Sequence, residues 1–485
     1  MESLGPKSAW SEKTDSTRQT IESLWSDFTQ DTGLHGLNKL SPGRRHKVSC
    51  VLWAVLVFTM AAFMCYSITT ELINFSRYPV NTNTKVDVLE EIEFPAVTFC
   101  SHSPYNLSKV KATDPNLHQF FNKISILGSL MSQVNWSEPE YNVPTFQESH
   151  SLEWWKELGM SPDEMFYMCL MDEVIHYPCM KVMKPVLTQT GNCATFNWNT
   201  SDVAKVRVTG SDNNLIMYAQ IDQANYVLGS QLAAGIKVIL HDPRVHPDEA
   251  KSSFLAAPGT STYAAVHKSR YKYLPSPYEA FQNRTCLDTL TTEFKNPLIY
   301  FEIYTYENCQ RECLTRTAYK ICGCIRPTDN GTIGRLCSLY ELNVCFSPTY
   351  LHLKKNATLQ KSCGCQMPCS FETYDIKVST SAYPSDAAMD YLVKHSTFTE
   401  EDYITKNLLE IRVFFENLIM HSTEQTPKYT TQTTLGNLGG QMGIYLGASF
   451  LTVTELGEFL FRLCVAAIRR CKRSDKVINV SYDQA

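Results

Sequence analysis

Two carboxylates, Glu455 and Glu458, stand inside an otherwise apolar stretch that runs from Leu435 to Ile468. A carboxylate facing lipid loses several kcal/mol, so both must face water or partner helices. Three residues apart on a helix, they share one face. In a symmetric assembly each position becomes a ring of negative charge that lowers the energy of a passing cation. The plainer reading of Glu458 is that it snorkels to the membrane surface beside Arg462; Glu455 lies deeper in the stretch. Upstream come Gly436-Asn-Leu-Gly-Gly-Gln-Met-Gly443 and then Gly447-Ala448-Ser449. So many small residues permit close helix approach, or a break whose freed carbonyls are tolerable only along a water-filled path. Catalysis has no comparable signal: there is no G-x-S-x-G, no H-E-x-x-H and no phosphate-binding glycine loop. An enzyme or a cofactor is therefore not expected. Cys322-Gly-Cys324 and Cys363-Gly-Cys365 have the look of metal ligands, but C-x-C outside the cell is usually disulfide chemistry, and no metal is expected.

The elements that must position these groups begin with a second apolar stretch. Cys50 to Ile68 carries no charge and is about as long as a helix needs to cross ~30 Å of hydrocarbon. About fifty polar residues precede it, which argues against a signal peptide. Arg44, Arg45 and Lys47 stand before this stretch, and Arg469, Arg470, Lys472 and Arg473 follow the other. Basic flanks stay cytoplasmic, so both termini are predicted inside the cell. The implied division is a cytoplasmic tail (1–48), a first span (49–69), an extracellular domain (70–430), a second span with the small-residue tract (431–468) and a cytoplasmic tail (469–485). Sequons at Asn106, Asn135, Asn199, Asn283, Asn330 and Asn356 agree with an external middle.

Of the 18 cysteines, Cys50, Cys65, Cys464 and Cys471 lie in or beside the spans and are expected free. The other fourteen fall between Cys100 and Cys369, an even set in an oxidising compartment. Short β-like runs (93–100, 191–198, 234–241, 409–420) alternate with helix-like pieces, which predicts an α+β domain. Residues 385–410 have helical spacing, with Thr397-x-x-Glu400 as a candidate capping box. A formal net charge of -5 with interspersed signs excludes a nucleic-acid partner.

FPAVTFC (94–100), His35-Gly36, the cysteine series ending CGCQMPC (363–369) and LGGQMGIYLGASFLTVTEL (438–456) together resemble the degenerin/epithelial sodium channel family, from about residue 30 to 470. Within it the sequence is similar to the acid-sensing, bile-acid-sensitive and peptide-gated branch. The resemblance implies a homotrimer, or a heterotrimer with related subunits, in the plasma membrane. Each extracellular domain would be built of palm, knuckle, finger, thumb and β-ball regions around a pore that passes sodium and is blocked by amiloride. It places the narrow pore tract at Gly447, Ala448 and Ser449 and the sodium-preferring acids at Glu455 and Glu458. Gating roles fall on Gly436, where bulk holds relatives open, on His35 and Gly36, on an aromatic contact of Tyr78 with Tyr278, and on the palm linker Leu418-Ile419. The implied disulfides are Cys100–Cys193, Cys169–Cys179, Cys286–Cys369, Cys309–Cys365, Cys313–Cys363, Cys322–Cys345 and Cys324–Cys337, the last five stapling a thumb.

The stimulus is where the sequence departs from proton-gated relatives. Their histidine pair after the first span reads Arg77-Tyr78-Pro79-Val80-Asn81 here. Their basic palm residue aligns with Val208, and their acidic finger insertion is shortened to residues 225–237. His150, His176, His241, His246 and His267 could still titrate between pH 5 and 8. The extracellular ligand is thus a proton, a peptide or a bile acid, with the latter two closer to Tyr78-Pro79-Val80. An ATP-gated two-span channel would need clustered lysines around phosphates, which no motif supplies. A doubly anchored adhesion protein would explain the outer domain but not the acids and glycines in a span.

Overall fold

The computed structural model describes residues 23–40, 47–131, 133–198, 201–228, 232–248, 251–282, 284–329 and 334–482, without the side chains of Lys47 and 469–482. Asn199, Asn283, Asn330, Arg44 and Arg45 lie outside the described residues, as do the side chains of Arg469, Arg470, Cys471, Lys472 and Arg473. The described chain divides into two compact units, one within Thr82–Thr426 and one made of the residues before and after it.

The larger unit is mixed α/β. Its main sheet has seven strands, in the order Ser370–Ala382, Thr260–Lys272, Leu408–Pro427, Leu215–Gln220, Phe166–Met171 and Val174–His176, with Val80–Val88 also pairing to the long strand Leu408–Pro427. A five-stranded sheet orders Ser253–Ala256, Ile236–His241, Ala96–Ser101, Gly191–Phe196 and Met183–Thr188. Phe94, Phe99, Phe166, Phe196, Val238, Val266, Ile411 and Phe415 belong to one buried cluster built from both sheets. Its aromatic rings meet edge to face, Phe94 on Phe196 at 6.1 Å and on Phe415 at 5.9 Å between centroids. The four β-like runs all become strands, the last extended to Leu408–Pro427.

Thr260–Lys272 and Leu408–Pro427 are neighbours but run parallel. A parallel pair cannot be closed by a tight turn and needs a long crossover. Residues 273–407 supply it, and they carry the helix Tyr306–Cys322. The Thr305 hydroxyl caps this helix by accepting from the Asn308 amide, and Gly323, at φ 72°, ends it in the left-handed region. Cys309 and Cys313, one turn apart on it, bond Cys365 and Cys363; Cys322 bonds Cys345; Cys324–Cys337 and Cys286–Cys369 complete this set. With Cys100–Cys193 and Cys169–Cys179, seven disulfides are formed, and their pairing is the one the resemblance implies. Cys50, Cys65 and Cys464 are free thiols.

The segment 385–410 forms two helices, Asp386–His395 and Glu401–Asn407, before entering the long strand. The capping box at Thr397-x-x-Glu400 does not form. Glu400 is itself the N-cap of the second helix and makes no side-chain cap, whereas Ser385 caps the first by accepting from the Ala388 amide. Thr397 lies too far upstream to reach the first-turn amides.

Of the five histidines, His241 is buried and His246 half-buried. His241 Nε2 lies 2.9 Å from the Thr98 hydroxyl and Nδ1 lies 3.0 Å from the Asp242 carbonyl, so a neutral ring satisfies both nitrogens. Burial pushes its pKa from 6.5 down to about 4. His246, between the rings of Trp198 and Phe301, is lowered to about 4 by burial and then by the Arg311 charge. Between about pH 6.5 and 4 the unfolded chain takes up protons that these rings refuse in the fold, so stability falls as pH falls through that window. The apparent Tm should therefore drop between pH 7 and pH 4.5 by several degrees, and His241→Gln should make the drop shallower. An identical slope in that variant would remove His241 from the account.

Candidate functional site

In the unit formed by the chain ends, the first apolar stretch is the helix Lys47–Ser76, long and apolar enough to cross a membrane over Val48–Ser76. The second is two helices, Thr431–Leu446 and Phe450–Tyr482, separated by Gly447-Ala448-Ser449. The sequence dictates how the break is made. Gly447 takes φ 61°, where a side chain would be strained, and its amide donates to the Gly443 carbonyl at 2.9 Å while that of Ala448 reaches Met442 at 3.1 Å. Ser449 starts the next helix: its amide donates to the Thr452 hydroxyl at 3.0 Å, and the Thr452 amide returns to the Ser449 carbonyl at 3.0 Å. Ala448 and Thr452 are buried.

The His35-Gly36 pair lies against this break. The His35 amide donates to the Leu446 carbonyl at 2.9 Å, satisfying one group that the interrupted helix leaves without an intrahelical partner. A Cβ on Gly447 would stand 1.8 Å from His35 Nδ1. Gly36, at φ 88°, comes so close to the first helix that a Cβ would stand 2.9 Å from a Val57 methyl. Each glycine is thus required both by its backbone conformation and by the closeness of its neighbour.

Glu455 continues the same junction. Its Oε2 accepts from the Gly33 amide at 3.1 Å and from the Thr32 hydroxyl at 3.2 Å. The helical residues 23–31 precede those groups, and Phe28 stacks on Phe459 at 4.3 Å. These contacts had no signal in the sequence, because Thr32 and Phe28 are unremarkable members of a polar tail. Glu458 pairs instead with Arg462, one turn on, with both side chains exposed.

Gly436, Gly439, Gly440 and Gly443 behave differently from Gly447. A Cβ at any of them would meet nothing within 4 Å. Of the two readings of the small residues, close helix approach is therefore not made by these four glycines within one chain. Polar contacts between the two helices include Ser67 to Tyr445 at 3.2 Å between hydroxyls, and Asn437 Nδ2 to Glu71 Oε1 at 2.7 Å.

In the larger unit, Leu418 and Ile419 fall in a register break. Val266 pairs with Phe415 and Lys268 with Met420, so the four residues Glu416–Ile419 bulge opposite His267 alone. Glu416 accepts from Lys377 at 3.0 Å and lies 2.5 Å from His267 Nε2, and the Leu418 carbonyl accepts from the Leu89 amide at 2.9 Å. Tyr78 takes φ 50° at the end of the first helix, and the Tyr278 amide closes a turn onto the Pro275 carbonyl. Of the described sequons, Asn135 and Asn356 are exposed, while Asn106 is half-buried and caps the helix Leu107–Thr113. Among the described residues no cluster of metal-ligating side chains is found.

Comparison with known proteins gives a consistent result. The family described as amiloride-sensitive sodium channel matches residues 28–459. Acid-sensing ion channel 1A of Danio rerio is 28% identical over 469 residues, covering 93% of this chain and 89% of its own. The bile acid-sensitive ion channel of Rattus norvegicus is 26% identical over 461 residues, with 90% and 87% covered. Acid-sensing ion channel 1 of Gallus gallus is 28% identical over 479 residues, with 93% and 87% covered.

The packing of His35 on the break can be tested by limited proteolysis of the purified protein. Gly447→Ala should expose the 32–40 segment and raise tryptic cleavage at Lys39 several-fold. Gly440→Ala, whose Cβ meets nothing, should leave it at the wild-type rate. Equal cleavage in all three proteins would separate the segment from the break.

Proposed function

Because the chain belongs to the amiloride-sensitive sodium channel family, we propose that it is a pore-forming subunit of a trimeric, sodium-selective, amiloride-sensitive plasma-membrane channel opened by an extracellular ligand. Its family members are ion channels rather than enzymes. In this reading both termini are cytoplasmic, the helix Lys47–Ser76 is the first span, and the broken pair Thr431–Leu446 and Phe450–Tyr482 is the second. The observation that carries it is the break at Gly447-Ala448-Ser449 with Glu455 one to two turns beyond.

The mechanism follows from electrostatics and backbone chemistry. Three copies of the break around one axis would bring small side chains and backbone dipoles together as a narrow tract, and three copies of Glu455 would attract cations below it. The Gly33 amide and Thr32 hydroxyl fix the position of the Glu455 side chain. The open face of Gly436, Gly439, Gly440 and Gly443 suits contact with neighbouring subunits or with water. An extracellular ligand opens the pore only to the extent that it binds the open state better than the closed one.

For the ligand, a peptide or bile acid is favoured over the proton. His241 and His246 stay neutral down to about pH 4, and Arg77-Tyr78-Pro79 stands where proton-gated relatives carry histidines. A proton reading would rest on His267 against Glu416.

Expressed alone, the chain should give a sodium current that amiloride blocks and that an amidated peptide or a bile acid evokes more strongly than a step to pH 5. No current at normal surface expression, together with rescue by a related subunit, would make it an obligate partner in a heterotrimer. Gly436→Phe should give a standing current without ligand, and silence at normal surface expression would remove that gate. Glu455→Gln should lower the sodium-to-potassium permeability ratio several-fold, whereas an unchanged reversal potential would take Glu455 out of selectivity.

A further inference from the structure

Within the larger unit, a cavity of about 150 Å³ lies between the short helix Leu152–Glu157 and the disulfide-stapled region that follows Cys286. Trp155 lines it from the helix side; the residue is 5% exposed, and its indole N–H has no hydrogen-bond partner. Thr328 lines it from the stapled side, and its buried hydroxyl is likewise unpartnered. Leaving such groups buried and unmatched forfeits the hydrogen bonds they would make to water, which is why native structures rarely do so. The remaining walls are mixed, with Pro104, Leu187 and Leu342 apolar and Thr188, Gln189 and Ser347 polar.

Charge gives a second and independent indication. Arg326, also lining the cavity, reaches Asp329 through Nε at 2.9 Å and Nη2 at 3.2 Å. Arg311 reaches the same carboxylate at 2.9 Å, and the Thr315 hydroxyl adds a bond at 3.1 Å. All three charged side chains are largely buried, at 17%, 16% and 2% exposure for Arg311, Arg326 and Asp329. Burial raises the Asp329 pKa, but Arg326 and Arg311 outweigh it and hold it below the usual carboxylate value. The carboxyl therefore stays ionised. Two guanidiniums against one carboxylate leave this cluster a formal charge of +1, in a place where unpaired charge is costly. The Tyr350 ring, 4.2 Å from the Arg326 guanidinium carbon, offsets part of that cost. No Asp or Glu is among the residues lining the cavity.

We propose that this cavity is a binding site for a short organic carboxylate. The anion would accept from the Trp155 indole and the Thr328 hydroxyl, face Arg326, and lay a short carbon tail against Leu187 and Leu342. The volume equals that of about five waters, enough for a carboxyl group with a tail of a few carbons. Water alone would satisfy the two orphaned polar groups but neither the positive cluster nor the apolar wall. An occupant held by Trp155 and Thr328 together would tie the helical layer to the stapled region and stabilise their junction.

The test is thermal unfolding of the purified full chain titrated with sodium propionate, against sodium gluconate at equal ionic strength. Gluconate carries hydroxyls along its chain and so has no apolar tail to lay against Leu187 and Leu342. Propionate should give a saturable rise in Tm that gluconate does not. Trp155→Phe and Thr328→Val should each raise the half-saturating concentration about tenfold; should one fail to fold, the other carries the comparison. No saturable rise in the wild type, or one unchanged in a folded variant, overturns the proposal. An equal saturable rise with chloride would assign the site to a halide and overturn the organic carboxylate.

Discussion

A helix that is interrupted frees backbone groups that need new partners, and the interruption at Gly447-Ala448-Ser449 is the constraint around which the smaller unit is built. Part of the solution is local. Gly447 turns the chain back onto Gly443, and Ser449 and Thr452 cap the new helix. The rest comes from far away in sequence, where the His35 amide takes the Leu446 carbonyl. Once that donor is in place, neither Gly36 nor Gly447 can carry a side chain, because each would collide with its neighbour. Glu455 then finds partners in Thr32 and Gly33, and Phe459 a stacking partner in Phe28. The N-terminal segment is thus a structural component of the break, and the two are expected to move together.

The larger unit answers a different constraint. Joining two parallel neighbouring strands demands a crossover, and here residues 273–407 form one too long to be ordered by the sheet alone. Five disulfides within Cys286–Cys369 supply what the small local core cannot. Each closes a loop that would otherwise add conformational entropy to the unfolded chain. The result is a stiff helical body with its own charge cluster at Asp329, joined to the neighbouring helical layer by apolar contacts of Leu336, Leu339 and Leu342.

Much of this was legible in the sequence because it rests on local or countable signals. An uncharged stretch marked the long apolar helix Lys47–Ser76, small residues left a break as one of two readings, and short apolar runs marked the strands. The disulfide pairing came only through the family resemblance, since spacing alone leaves the connectivity open. What could not be read were contacts between residues with no special chemistry and great sequence distance. Thr32 on Glu455 and Trp155 beside Thr328 are both of this kind. The capping box at Thr397 failed for the opposite reason: a correct local pattern was displaced by a few residues because the helix starts at Glu401.

The register break opposite His267 bears on how a β domain can transmit a stimulus without unfolding. A regular ladder has few alternatives, because slipping by one residue turns every side chain to the wrong face. Three extra residues, with Glu416–Ile419 standing opposite His267 alone, relieve that restriction at one point while the pairing on either side continues in register. The bulge is held outside the ladder with Thr260–Lys272, by side-chain contacts of Glu416 with Lys377 and His267 and by one backbone bond from the Leu89 amide to the Leu418 carbonyl. Such contacts can exchange at far lower cost than a row of strand hydrogen bonds. Leu418 also packs against the main core, so any rearrangement of the bulge must trade that burial for another. Two discrete packings, rather than a continuous deformation, are what a close-packed core of this kind permits.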